Sequence, residues 1–146
     1  MKRVQQARDE SKMVKETKTV RVKGRVFSGT GEGAKFIKLS WVKDQIREKM
    51  GFTPYEGTLN LRLNEEGKRV RKTLEEAVSV IILPENGYCR GKCFKARIMG
   101  SVDGAVIIPE VGGYPDNVLE VIAPINLRER FRLKDGDYVE LSLTFE

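Results

Sequence analysis

Histidine is missing from all 146 residues. Its absence removes every His-dependent triad and the side chain that most often serves as general base. Catalysis by this chain must therefore rest on carboxylates, backbone amides, hydroxyls, lysines or a bound metal. Cysteine is scarce: Cys89 and Cys93 stand alone in Cys-Arg-Gly-Lys-Cys. Without histidine or a second pair they make no zinc site, and redox pairs more often have two residues between the thiols. Both read as reduced thiols in or beside a turn. Long apolar runs are lacking too. Val78 to Leu83 and Val118 to Ile122 fall far short of a bilayer span. The leading MKRVQQARDESK has no apolar stretch behind its basic residues, unlike a secretory signal. A soluble, cytoplasmic, single-domain protein without a membrane partner is expected.

An excess of positive charge exists only locally. The formal net charge is +6. Positions 1–25 carry nine basic and three acidic residues, while positions 26–146 carry 18 of each. Residues 1–20 read as a basic arm or linker and 21–146 as the folded domain. A basic arm either binds nucleic acid or keeps a chain dissolved. With no aromatic residue among the first 25, the second role is favoured. The remaining composition, 40% hydrophobic and 33% charged, is that of an ordinary globular protein.

The hydrophobic pattern is rich in strands. Thr19 to Phe27 alternates, with Val20, Val22 and Val26 on one face, and Thr58 to Leu63 alternates as cleanly. Further strands are expected at Val78–Leu83, Lys92–Met99, Ala105–Ile108, Leu119–Ile122 and Tyr138–Phe145. Turns are expected at Glu85–Gly87, Val102–Gly104, Gly112–Gly113 and Lys134–Asp137. One main helix is expected at Trp41–Met50, with Ser40 as N-cap and Gly51 as its stop. Lys35 to Leu39 reads as a resumed strand. Asn64 to Leu74 reads as a charged loop, with short helices at Lys72–Ala77 and Asn126–Phe131. Many short strands without a βαβ rhythm make the fold mainly β, a barrel with helical decoration.

Three features can carry chemistry. Ser28-Gly-Thr-Gly-Glu-Gly-Ala34 is a glycine-rich loop whose backbone can approach a ligand and whose amides can cradle phosphates. It is neither a Walker loop nor a Rossmann fingerprint, as no helix is expected directly after it. Alone, it also describes a hairpin turn. Thr58 and Asn60 lie two apart on a strand and share a face, opposite Leu59 and Leu61. A hydroxyl and an amide oxygen are hard ligands acceptable to Mg²⁺ beside nucleotide phosphates, although the same pair also suits a strand face turned to water. Glu120 sits in an apolar strand, sharing a face with Ile122 and opposite Leu119 and Val121. There it is either functional or turned to solvent. The Leu133–Val139 turn reads as structural only.

These pieces, taken in order, resemble the archaeal CTP-dependent riboflavin kinase family. The resemblance runs through Ser28–Gly33, Gly51-Phe-x-Pro54-Tyr-Glu-Gly-Thr-Leu-Asn-Leu61, Asp103-Gly-Ala-x-x-x-Pro109, Leu119–Pro124 with Leu127-Arg-Glu129, and Leu133–Asp137. It implies a compact six-stranded cradle-loop barrel of Greek-key type. It implies a flavin-directed transferase that moves the γ-phosphate of CTP to the 5′-hydroxyl of riboflavin, giving FMN and CDP. By the same resemblance Gly29, Thr30, Gly31, Glu32, Gly33 and Ala34 would wrap the CTP phosphates. Ile125, Asn126, Leu127 and Arg128 would meet the cytidine, partly through backbone groups. Thr58 and Asn60 would hold Mg²⁺. Glu120 would stand at the ribityl chain as the catalytic carboxylate, orienting or deprotonating the hydroxyl. Gly112, Tyr114 and Glu120 would line the flavin site; family members often carry Thr, a flavin contact there, where this chain has Gly112, and Tyr114 is the alternative source of that contact. Ala34 stands where an Arg can occur, with Lys35 beside it. Some members carry an N-terminal winged-helix DNA-binding domain, for which about twenty leading residues are too few. A monomer is expected. The rival is a non-enzymatic DNA-binding barrel, because Leu133–Leu141 resembles the closing hairpin of swapped-hairpin transcription regulators. The charge balance of the barrel speaks against it.

Overall fold

Strand periodicity is answered directly by the computed structural model, which describes residues 17–85 and 87–146. The arm expected at residues 1–20 lies outside them as far as residue 16. The elements are β1 (Lys18–Phe27), α1 (Glu32–Lys38), α2 (Ser40–Met50), β2 (Leu59–Leu63), α3 (Glu65–Glu76), β3 (Val80–Ile82), β4 (Gly91–Ile98), β5 (Val102–Pro109), β6 (Val118–Ile122), α4 (Leu127–Phe131) and β7 (Tyr138–Phe145). Six strands run β4-β5-β6-β2-β1-β7, and β7 returns to pair with β4, closing an antiparallel barrel. β3 adds to the first half of β4, outside the ring. The expected mainly β, six-stranded barrel is the architecture found.

Two apolar layers hold it together. Inside the barrel, alternate residues interlock: Val22 and Val26, Leu59 and Leu61, Phe94 and Ile98, Leu119 and Val121, Leu141 and Leu143. Outside, α1 and α2 press Ile37, Val42 and Ile46 onto Cys93, Ala105, Ile107 and Ile122. β5 is consequently buried on both faces. Each buried Val, Leu, Ile or Phe among them contributes about 1.5–3 kcal/mol by leaving water.

Four local expectations are corrected. The segment Lys35–Leu39 is helical, and α1 begins at Glu32, within the glycine loop, after Gly31 at φ 88°. Packing of Ile37 into the outer layer outweighs the low helix propensity of glycine. Ser40 is the first residue of α2 and not its cap, since Leu39 holds the extended N-cap position. Asn64–Leu74 is no loop: α3 is the longest helix described. Asn64 Oδ1 caps it by accepting from Gly67 N at 2.9 Å, and Glu65 and Glu66 suit its positive end. Its buried face is Gly67, Arg71 and Leu74. The apolar period is hidden because a glycine and an arginine fill two of those positions. Finally, Val102–Gly104 is strand, and the hairpin turn lies at Met99 and Gly100, both at positive φ. Gly104 is there for close approach: a Cβ would strike the Ile122 carbonyl and lie 3.3 Å from Ala123 Cα.

Candidate functional site

Barrel closure aligns one row of residues across four strands on the outer face: Ile107, Glu120, Asn60 and Phe27. Leu119 and Val121 point inward, so Glu120 and Ile122 point outward, as alternation requires. Leu59 and Leu61 likewise take the interior and leave Thr58 and Asn60 outside beside Glu120. Thr58 Oγ1 donates to Glu120 Oε1 at 3.2 Å and lies 3.5 Å from Asn60 Oδ1. A hydroxyl, an amide and a carboxylate oxygen thus converge from two strands.

The glycine loop is laid on this cluster. β1 ends at Phe27, opposite Asn60, and the chain then crosses directly over β2 and β6. A Cβ on Gly29 would collide with Asn60 Nδ2. On Gly33 it would collide with Glu120 Oε1 and stand 2.6 Å from Thr58 Oγ1. Only glycine allows that approach. Thr30 and Glu32 are exposed, Ala34 is half-buried, and Glu32 pairs with Lys35 at 3.5 Å.

Tyr114 completes the carboxylate's surroundings. Its hydroxyl donates to Glu120 Oε2 at 2.5 Å. Burial, then the hydrogen bond to Glu120, push the phenol well above its ordinary range, so it keeps its proton. Behind it stands Arg71, the one buried charged residue among those described. The guanidinium lies 5.7 Å from the Tyr114 ring centre, and Nε donates to the Val118 carbonyl at 3.0 Å. Gly112, two residues before Tyr114, faces open space.

The segment 125–128 adjoins the same cluster. A cleft of about 150 Å³ is lined by Tyr55, Gly57, Thr58, Ile125, Asn126 and Arg128, among others. Asn126 Oδ1 caps α4 by accepting from Glu129 N, and its Nδ2 donates to Tyr55 OH at 3.1 Å. Leu127 also lines this cleft and is buried against the barrel core. Arg128 Nη2 donates to Asp135 Oδ1 at 2.9 Å, and Ser28 Oγ donates to the same carboxylate at 2.9 Å. These contacts, Arg128 first, hold the Asp135 carboxyl below its usual range. Asp135 therefore ties the start of the glycine loop to the 125–128 segment. Sequence reasoning took its turn as structural only, and Arg71 was not singled out at all. No local signal marks Asp135, because it meets Ser28 across 107 positions.

The oxygen cluster fits a hard divalent cation. Its donors are oxygens, the ligand type such a cation takes, and the glycine loop approaches them so closely that a Cβ at Gly29 or Gly33 would collide with Asn60 or Glu120. Among the described residues no three His, Cys, Asp or Glu side chains gather as a metal site. A cation held here would thus need oxygens from a ligand as well.

Comparison with known proteins gives the family. Residues 26–143 match the family model CTP-dep_RFKase, described as a domain of unknown function, DUF120. A riboflavin kinase of Archaeoglobus fulgidus is 42% identical over 139 residues, covering 92% of this chain and 59% of the relative. A riboflavin kinase of Pyrobaculum aerophilum is 42% identical, covering 86% and 61%. One of Pyrobaculum arsenaticum is 43% identical with the same coverage. The chain thus spans about three fifths of the length of these curated relatives. With nearly the whole barrel matched, from the end of β1 into β7, the chain belongs to the CTP-dep_RFKase family.

Proposed function

We propose that this protein is a riboflavin kinase that uses CTP, transferring its γ-phosphate to the riboflavin 5′-hydroxyl to give FMN and CDP. One observation carries the reading: the glycine loop rests at Gly29 on Asn60 and at Gly33 on Thr58 and Glu120. A bare backbone suited to phosphates, lying against hydroxyl, amide and carboxylate oxygens, supports that reading. The names of the relatives supply the acceptor, and the family's name supplies the donor.

Phosphoryl transfer asks mainly for positioning and charge neutralisation. Backbone amides of residues 29–34 would take the phosphate oxygens. Thr58 and Asn60 would hold Mg²⁺, which when bound offsets the phosphate charge. Segment 125–128 would meet the cytosine, with Asp135 keeping it in step with the loop. Glu120 would orient the 5′-hydroxyl and accept its proton as the new P–O bond forms, the bond to CDP oxygen breaking in the same displacement. Tyr114 would keep that carboxylate aimed.

The test is purified protein with riboflavin, Mg²⁺ and each of CTP, ATP, GTP and UTP in turn, with FMN followed by chromatography. FMN with CTP alone is the expected result. FMN with all four would overturn the donor assignment, and none with any would overturn the kinase reading.

A further inference from the structure

Three aromatic rings from three segments meet beside the glycine loop. Phe36 of α1 packs edge-on against Trp41 of α2 at 5.8 Å between centres. Tyr88, in the β3–β4 connection, lies 5.6 Å from Trp41 and 6.2 Å from Phe36. None is fully buried, and Tyr88 keeps 46% of its surface in water. The rings belong only partly to the outer apolar layer, which Phe36 and Trp41 touch. Phe36 and Trp41 are half-buried against that layer, while Tyr88 stands beyond it with its ring in water.

Its position relates it to Glu120. Phe36 follows Gly33 by three residues in α1 and so shares its face, and Gly33 is the residue resting on Glu120. From the other side, Glu110 N donates to the Arg90 carbonyl at 2.8 Å, and the two side chains pair at 2.8 Å. This fastens the Tyr88 segment to the loop carrying Val111, Gly112 and Tyr114. Along β5, Ile107 faces Glu120 while Pro109 faces Gly91. Gly91, where the Tyr88 segment enters β4, therefore lies two residues along and two strands across from Glu120, roughly 12 Å away, a span a ribityl chain and a tricyclic ring can cover. Val111, 51% exposed, adds an apolar surface on the same side.

We infer that Phe36, Trp41 and Tyr88 form the shelf on which the flat tricyclic ring of the flavin stacks, the ribityl chain reaching back to Glu120. The inference rests on the kinase reading, because that reading supplies the acceptor. Flat heteroaromatic rings gain from stacked or edge contacts with aromatic side chains. The shelf also supplies the apolar recognition that the open position at Gly112 does not.

Trp41 is the only tryptophan, so its emission reports the shelf without labels. Riboflavin titrated into the full chain without nucleotide should quench Trp41, and the bound flavin's own fluorescence should fall. Tyr88→Ala should raise the riboflavin KM about tenfold, leaving the CTP KM and kcat at saturating flavin nearly unchanged, and Tyr88→Phe should restore it. FMN production with an unchanged riboflavin KM in Tyr88→Ala and no Trp41 quenching would overturn the shelf and leave the kinase standing. Trp41 quenching without FMN from any nucleotide would do the reverse. Neither quenching nor product would overturn both.

Discussion

Replacing Gly33 by alanine separates the site from the fold more sharply than any other single change. The added Cβ would lie 2.6 Å from Thr58 Oγ1, whereas carbon and oxygen rest at about 3.3 Å or more. It would also overlap Glu120 Oε1. Both obstacles are side-chain ends, so the fold can yield. Yielding breaks the 3.2 Å Thr58–Glu120 hydrogen bond, a loss of about 1–2 kcal/mol. Alanine recovers about 0.5–1 kcal/mol of helix propensity at this position. Net stability should fall by about 1 kcal/mol or less, a melting shift of a few degrees. Turnover should fall far more, because moving reacting groups by about 1 Å costs roughly 100-fold. Two controls bracket the result. Gly104→Ala meets backbone at Ile122 and Ala123, which cannot rotate away, and should cost about 1–3 kcal/mol of stability. Gly112→Ala meets nothing within 4 Å and should change neither quantity. Thermal denaturation and FMN formation measured on all three decide the matter. A folded Gly33→Ala protein working within about threefold of wild type would refute the claim that the loop and the oxygen cluster act as one site.

Glu120→Gln keeps the size of the side chain but removes its ability to accept a proton, and turnover should drop by about 100-fold or more. Near-normal turnover would exclude the base role. Arg71→Met removes the charged hydrogen bond to the Val118 carbonyl and should lower stability by about 1.5–3 kcal/mol in urea unfolding; an unchanged midpoint would refute the part assigned to this buried cation. Cys93 is buried, and burial raises its thiol from 9.0 to about 12. The unfolded chain therefore releases that proton first, so stability should fall as pH rises from about 9 towards 12. At pH 8 an aromatic disulfide reagent should spare Cys93 until the chain unfolds. Rapid modification of both thiols in the native protein would contradict this burial.

Strand periodicity in the sequence was enough for the barrel, because a two-sided sheet writes its faces into alternate residues. It also set Leu59 and Leu61 opposite Thr58 and Asn60, and Leu119 and Val121 opposite Glu120, the faces that the barrel then turned inward and outward. The helix at Trp41–Met50 was legible from its spacing and from Gly51. α3 was not, since its buried face is made of Gly67, Arg71 and Leu74, a set that no apolar period marks. α1 was read as strand because its stability comes from Ile37 meeting the outer layer, a contact distant in the chain. The Gly104 turn was misread because glycine serves both turns and close packing, and only the neighbouring strand distinguishes them.

By itself the sequence determined which residues offer oxygen atoms on one strand face, which glycines leave the backbone bare, and which family their order belongs to. Tertiary structure decided that these meet: that Gly29 and Gly33 settle on Asn60, Thr58 and Glu120, that Asp135 fastens Ser28 to Arg128, and that Arg71 stands behind Tyr114. The physical reason is register. Hydrogen bonds between β1, β2, β5 and β6 place residues far apart in the chain side by side, and nothing local in the sequence encodes that pairing.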